Sequence, residues 1–592
     1  MAATSAKHTE SGRVHRATLV AWIVLLSIIS VLISGYRDVY GANHGYQLLL
    51  VQKINDPSLY PGDPVADTIF SFASPFWYGV AWLARFFNLS ITLFTLFWIK
   101  NLLLLYMGYR WARLLFPHSW HAGYAGALFL ATPITLLMGN GQPSNSLEQT
   151  SFSVIFAILA LESLLRRRVL GYMLWMGLVA YFNQMYAIFG YTYVVLSVLG
   201  DKVLRVQWLR WAGATIGSLG IGLPGWLLLL QAARKPVPDP LAVWQAAELS
   251  YPYHFFPETW GNTPQLILLG YVVLVLGLCR FWGRCDAGLR KHIALWTALS
   301  LGYYLLAWLT PHVLRSLMLL HLHPFRATEL WSLLTGVFLA AGAVAWVESL
   351  PTETLKRWFT PLTLLVCMSM LWRFGYGLGF GIRGLLLLAL GAEALRLLAT
   401  RTVLRVSVGA ILKLCLAFLC LNAVRIHMIR VAQYNNWLGI PRSPAYEIAR
   451  WARAHTPPDS VFLVPLYSDA EGWYQFRHLS QRSVFVTRKD GSTWTFAPHY
   501  AREWKARMRA AGLFEVADLN ETTYRIGAWV PLGTRRHDQD IFRRASNRLD
   551  DAHVRQIAQR YRIDYWIVPT DTPTRFPIVH KHGRWKVVRV AP

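Results

Sequence analysis

The sequence predicts an α-helical polytopic membrane protein over residues 1–430, followed by an extracytoplasmic α/β domain over residues 431–592. Three observations carry that prediction. Of 592 residues, 54% are hydrophobic and only 15% charged, against about 25% charged in an average soluble domain. Apolar runs close to the ~20 residues that cross a bilayer recur along the first 430 positions. Trp and Tyr number 27 each, which suits a chain with many membrane–water boundaries.

The first element is the run Leu19 to Ile33, behind a polar leader holding Lys7, Arg13 and Arg16. Gly35-Tyr36-Arg37-Asp38 follows it. No small-residue cleavage site closes the run, so it reads as a retained span with the N-terminus in the cytoplasm. Alternating further spans against the positive-inside rule places span two at about 92–107, returning to Arg110 and Arg113. Span three covers about 122–138, and span four covers about 152–165 and re-enters at Arg166-Arg167-Arg168. A tight pair between Leu170 and Leu199, interrupted by Asn183-Gln184, makes spans five and six. Span seven ends near Leu230, span eight leads to Arg280, Arg284, Arg290 and Lys291, and span nine exits to Pro311 through Glu329. Span ten re-enters at Lys356-Arg357, spans eleven and twelve return to Arg396 and Arg401, and span thirteen, about 408–421, puts the C-terminus outside. Thirteen spans make most of the inner loops the basic ones. The apolar stretch Phe70 to Phe87, inside a long first outer loop (36–90), is expected to be an interfacial helix anchored by Trp77 and Trp82. Counted as a span, it would place Arg166-Arg167-Arg168 outside.

The formal charge of +27 largely reflects basic inner loops, and no nucleic-acid motif accompanies it; no nucleic-acid partner is expected. From Pro441 onward 25 Lys and Arg face 15 Asp and Glu, an excess that suits anionic headgroups or lipid-linked phosphates or a solvated surface. Five cysteines show neither disulfide framework nor metal spacing. In the C-terminal domain a helix is expected at 446–454, strands at 461–465 and 483–487, and a helix at 499–511. Another helix at 550–561 leads into a strand at 565–569, and a hairpin over 577–590 turns at Lys581-His582-Gly583. Residues 535–548 are polar and read as a loop. Helix–strand alternation with short buried strands indicates an α/β domain, and no glycine-rich phosphate loop or Gly-x-Ser-x-Gly elbow marks it.

Candidate chemistry gathers in three places. The first loop holds Asp38 beside Arg37, then His44, and then Asp63 and Asp67 around Pro61-Gly62-Asp63-Pro64. An acid at a helix end by the interface sits in a lowered dielectric, where its pKa rises toward that of a general base; it is equally the ordinary end of a span. Glu148, in Ser144-Asn145-Ser146-Leu147-Glu148, is a second acid or an acid favoured by a helix start. The loop before span ten carries His312, Arg315, His321, His323 and Arg326. There an Arg could take phosphate oxygens bidentately, pair with Glu329, or snorkel to headgroups. Within the C-terminal domain, Gln475-Phe476-Arg477-His478 and Gln481-Arg482 could meet an acceptor or phosphate, or simply be solvated.

Thirteen spans with the N-terminus inside, an acid just after span one, a long first outer loop and a C-terminal outer α/β domain together resemble the GT-C membrane glycosyltransferases. That superfamily includes oligosaccharyltransferase catalytic subunits, protein O-mannosyltransferases and lipid A aminoarabinose transferases. The run Asp56 to Pro64 also resembles an uncharacterised family of large bacterial membrane proteins. The resemblance implies Asp38 as catalytic base, Glu148, Asp63 or Asp67 as second acid, and Arg326, His323 and Arg315 around a donor phosphate. It implies Arg477, Arg482 and His44 on the acceptor side. Members commonly carry paired acids; here Asp38 stands alone behind Arg37, and a divalent metal (Mg or Mn) stays open as cofactor. The implied partners are the bilayer of a bacterial inner membrane, a polyprenyl-phosphate sugar, and a glycan, lipid or protein acceptor. The alternative class is a non-enzymatic envelope transporter, flippase or assembly protein. A transporter more often shows inverted repeats and broken paired helices; no clear internal repeat is present.

Overall fold

The computed structural model describes residues 2–41, 43–132, 142–260, 262–281, 285–348, 408–436, 444–467, 472–518, 524–527 and 537–590. Within these, five helices are long and apolar enough to cross a membrane: Arg16–Ser34, Leu89–Leu115, Ala287–Leu314, Leu317–Trp346 and Cys415–Tyr434. A sixth arises if Trp208–Ile221 and Leu223–Ala233, bent by 69° at their junction, make one span. Large apolar side chains stay exposed on these helices and on Asn262–Phe281, among them Ile91 (64%), Ile216 (69%), Leu266 (67%) and Val273 (63%). A continuous apolar exterior of this kind suits lipid rather than water as the surrounding solvent.

Among the described residues the helices fall short of the expected thirteen full-length spans. The helices Gln149–Leu165, Val169–Phe182 and Gln184–Gly200 run 17, 14 and 17 residues, about 21–26 Å at 1.5 Å per residue, short of a ~30 Å hydrocarbon core. Asn183 sets one boundary: its side chain accepts from the Met185 amide, capping the second helix where the first stops. Gln149–Leu165 is buried on every face except its last residue, as a helix apolar all round must be. The expected spans eleven and twelve lie outside the described residues.

Helices Leu89–Leu115 and Trp120–Leu130 cross at their backbones. A Cβ on Gly108 would lie 2.9 Å from the Gly126 carbonyl oxygen, and one on Gly126 would lie 2.7 Å from that of Gly108. Small residues at such crossings let helices approach without side chains between them. Near the end of the long C-terminal helix Val408–Tyr434, Arg430 donates to the Leu32 and Ile33 carbonyls at 2.8 and 2.7 Å. It thereby satisfies the open C-terminal acceptors of the first helix.

The first loop is built of short helices, His44–Asn55, Pro64–Thr68 and Pro75–Leu83. The last has 9 residues, too few to span a ~30 Å hydrocarbon core. Of its two expected anchors only Trp82 is exposed (58%); Trp77 is fully buried and donates to Gln149 Oε1 at 2.8 Å. The loop therefore packs onto the head of helix Gln149–Leu165.

The C-terminal domain carries a five-stranded sheet of order β2-β1-β3-β5-β4, with β1 Val461–Leu463, β2 Ser483–Val484, β3 Tyr565–Pro569, β4 Ile578–His582 and β5 Trp585–Arg589. β1 pairs parallel to β2 and β3, while β3–β5–β4 is antiparallel. Helix Pro444–His455 covers one face with Ala445, Ile448, Ala449 and Ala452 against Phe462, Val484, Tyr565, Ile567 and Val587, the i, i+3, i+4, i+7 spacing of an amphipathic stripe. Leu463, Phe485, Trp566, Val568 and Val588 on the other side belong to the same apolar cluster as the N-terminal bundle. Residues 537–548 correct the expected loop: they form helix His537–Arg548. Phe542, Ala545 and Leu549 bury at helical spacing, so one narrow stripe suffices and the remaining faces are polar.

Candidate functional site

The turn after the first helix, residues 35–43, is where loop, bundle and C-terminal domain meet. Asp38 has a left-handed backbone, φ 40°, which Asp tolerates better than most residues. Its carboxylate accepts from Tyr36 Oη at 3.3 Å and from Ser90 Oγ at 3.0 Å. Burial pushes its pKa up, and the two hydroxyl donors only partly offset this.

Facing this turn is the segment 144–148. The Arg37 amide donates to the Asn145 carbonyl at 2.8 Å. Gly41 lies so close to Ser146 that a Cβ would meet its side chain at 2.6 Å, so any larger residue would push the two segments apart. His44 is buried; its Nδ1 accepts from the Gly41 amide at 3.1 Å, and its Nε2 donates to the Leu147 carbonyl at 3.1 Å. Both ring nitrogens serve the neutral form, and burial holds its pKa down at about 4. His44 is thus a brace between the two segments.

Glu148 sits at the N-cap of helix Gln149–Leu165, yet its side chain makes no capping hydrogen bond. It accepts from Asn43 Nδ2 at 3.3 Å, and Arg326, Lys100 and Lys489 all act on it electrostatically. Burial raises its pKa and the three cations oppose the rise. Lys100, fully buried, donates to the Ser144 carbonyl (3.2 Å) and Oγ (3.0 Å) and lies 4.2 Å over the Phe97 ring. Lys489 reaches in from the C-terminal domain to Asn43 Oδ1 at 3.1 Å, with its ammonium 4.5 Å from the Tyr251 ring.

Arg326 ends the 3-10 turn Pro324–Arg326. It lies among Tyr186, Glu329 and Glu148, and its Nε has no hydrogen-bond partner. Tyr186 donates to Glu329, and Gln142 donates to Glu329 (3.2 Å) and Ser151 (3.0 Å). Arg326 is therefore neither snorkelling nor confined to one carboxylate. His323 makes a wall of the site: its Nε2 donates to the His254 carbonyl at 2.8 Å and its ring stacks on Phe255 at 4.5 Å, which leaves it no role as a phosphate-binding cation. Arg315, with φ 46°, is exposed.

Asp38 and the Glu148–Arg326 cluster are linked by two short contact paths. One runs through Gly41 and Asn43 to Ser146 and Glu148. The other runs through Tyr36, whose ring is 4.9 Å from Phe97, to Lys100. Asp63, Arg477 and Arg482 lie in the framework instead. Asp63 Oδ1 caps Pro64–Thr68, accepting from the Val65 and Ala66 amides at 3.0 and 3.2 Å, while Oδ2 accepts from Arg477 Nε (2.6 Å) and the Val484 amide (2.9 Å). Arg477 also holds Asp490 through Nη1 and Nη2 at 3.1 and 3.2 Å. Arg482 donates to the Arg453 and Thr456 carbonyls at 2.9 and 2.6 Å, closing the C-terminus of helix Pro444–His455. Asp67 is exposed on Pro64–Thr68.

Sequence reasoning missed Lys100, Lys489, Asn43 and Tyr186. Lys100 carried a usable signal, an ionisable residue inside an apolar run. Among the described residues no group of three His, Cys, Asp or Glu side chains could hold a metal ion. Residues 444–511 match the model of a family described as a domain of unknown function (DUF6798). No curated protein matches the chain.

Proposed function

We propose that the chain is a GT-C-like membrane glycosyltransferase of the bacterial inner membrane. It would move a sugar from a polyprenyl-phosphate donor to an extracytoplasmic acceptor, with some thirteen spans, the N-terminus inside and the C-terminal domain outside. The observation that carries the reading is the site around Glu148: a buried acid faced by Arg326, Lys100 and Lys489, joined to the half-buried acid Asp38 through Tyr36, Phe97 and Lys100. Such a site suits a reaction in which one oxygen loses a proton while another gains negative charge.

In this reading Asp38 takes the proton of the acceptor hydroxyl, which its raised pKa favours. The acceptor oxygen bonds to the anomeric carbon as the bond from that carbon to the phosphate oxygen breaks. The electron pair leaves with the phosphate, and Arg326, through its open Nε, stabilises it in a dry site. Glu148 holds the cations in place before the phosphate arrives. The test is transfer of radiolabelled sugar from polyprenyl-phosphate sugars in membranes containing the full chain. Asp38→Asn should lower transfer by roughly 10²–10⁴-fold; an unchanged rate removes Asp38 as the base.

The 69° break between Trp208–Ile221 and Leu223–Ala233 favours the second reading, a transporter or flippase, since broken helices are common there. That reading expects movement of a lipid-linked substrate across proteoliposomes with no new glycosidic bond.

A further inference from the structure

One stretch of the C-terminal domain hydrogen-bonds the turn that bears Asp38 at three points, and Tyr446 adds a ring contact to Tyr40 at 5.5 Å. Gln475 Nε2 donates to the Gly41 carbonyl at 3.1 Å. His478 Nε2 donates to the Val39 carbonyl at 3.1 Å, one residue beyond Asp38. Lys489 donates to Asn43 Oδ1 at 3.1 Å, and the Asn43 amide group in turn donates to Glu148. Gln475 and His478 are almost wholly buried, at 3% each, so these bonds are shielded from competing water and costly to leave unmade. The same turn is also held by the 144–148 segment, through Asn145 and Leu147, and by helix Leu89–Leu115, through Ser90 on Asp38 and Phe94 and Phe97 on Tyr36. The turn carries a non-glycine residue at φ 40°, a conformation that persists where surroundings over-determine it.

We infer that the C-terminal domain is the positioning element of this site: Gln475 and His478 hold the backbone carbonyls beside Asp38, and Lys489 holds Asn43 against Glu148. The domain then does more than cover the site or receive an acceptor, and its 475–489 stretch sets the geometry of both acids. All three residues fall within the segment matched to the domain of unknown function, which gives that segment a concrete task in this chain. The activity part of the inference rests on the glycosyltransferase reading; the structural part does not.

The experiment uses the full chain in nanodiscs with His478→Leu and His478→Gln. Glutamine places an amide donor near the position of Nε2; leucine fills similar space without one. The amides of Arg37, Tyr40, Gly41 and His44 are all hydrogen-bonded, so their hydrogen exchange reports whether the turn is held. His478→Leu should speed that exchange roughly 10-fold, the worth of one buried hydrogen bond, while β3 stays protected and shows the domain folded. In sugar transfer it should lower kcat by roughly 10-fold with acceptor KM nearly constant, and His478→Gln should restore most of both. Unchanged exchange at the turn overturns the inference, as does a rise in acceptor KM alone. If the wild type transfers no sugar yet exchange responds as described, the positioning role stands and the glycosyltransferase reading falls.

Discussion

Two buried ionic centres differ in how completely they are satisfied. In the Asp63–Arg477–Asp490 centre, Asp63 accepts four hydrogen bonds on its two oxygens and Arg477 is bonded through all three guanidinium nitrogens. In the Glu148–Arg326–Glu329 centre, Arg326 Nε and Gln142 Oε1 are buried without partners. A saturated centre has nothing left to offer a ligand, and its role is to fix structure. An unsaturated one pays a desolvation cost that a bound phosphate would remove. The first centre therefore suits docking of the C-terminal domain, and the second is the one that the proposed function would use for chemistry.

The sharpest way to break that division is to empty the first centre. Arg477→Met would leave two carboxylates buried without their cation, a loss of about 3–5 kcal/mol. The C-terminal domain should then open to limited proteolysis and its thermal midpoint should drop. Retained stability would mean that Arg477 is not the keystone. Emptying the second centre should act the other way round. Glu148→Gln and Arg326→Gln should lower sugar transfer by roughly 10²–10³-fold while lowering the melting transition less than Arg477→Met, since Lys100 and Lys489 still face Glu148 and Tyr186 and Gln142 still donate to Glu329 when Arg326 is lost. Loss of fold in Arg326→Gln would make that centre structural too.

The histidines between the centres provide a pH test. Burial holds His44 at about 4 and His478 at about 3, against about 6.5 in an unfolded chain. Unfolding therefore takes up protons below pH 6.5. Their stabilisation is complete above pH 6.5 and is lost as pH falls toward those folded values. Between pH 7 and 5 the midpoint should drop more steeply in wild type than in His478→Gln; equal slopes would show that His478 does not carry this dependence. Asp38 and Glu148, whose pKa values are raised, act with the opposite sign, so the difference between the two proteins is the quantity to read.

How much of this was legible in the sequence follows the range of each interaction. The apolar runs marked most helices, Asn183 marked the break between two of them, and β3 and the terminal hairpin read directly from local alternation and turn residues. Helix lengths were less legible, because an apolar segment buried in protein looks like one buried in lipid. Helix His537–Arg548 was hidden because its buried stripe is three side chains wide. Glu148 and Arg326 were readable as candidates from residue type and position. The partnership of Asp63 with Arg477, 414 residues apart, left no trace in a single sequence, so both looked like free functional groups. Lys489 looked like one more surface cation for the same reason.

The smallest effects should come from the candidates that reach neither centre. Arg315 and Asp67 are exposed, and an exposed charge is screened by solvent and salt within about 10 Å. Arg315→Gln and Asp67→Asn should each leave transfer and midpoint near wild type, within about 2-fold and about 0.5 kcal/mol. Arg315 offers the more informative outcome, because it shares its loop with Arg326. If phosphate were drawn in by the overall charge of that loop, both arginines would matter alike and the dependence on ionic strength would weaken in either variant. If it is bound at the unsaturated centre, only Arg326 of the two matters, because its Nε is desolvated and lacks a partner while Arg315 is exposed. A large loss in Arg315→Gln would therefore move the phosphate site out of the buried cluster and onto the surface of the loop.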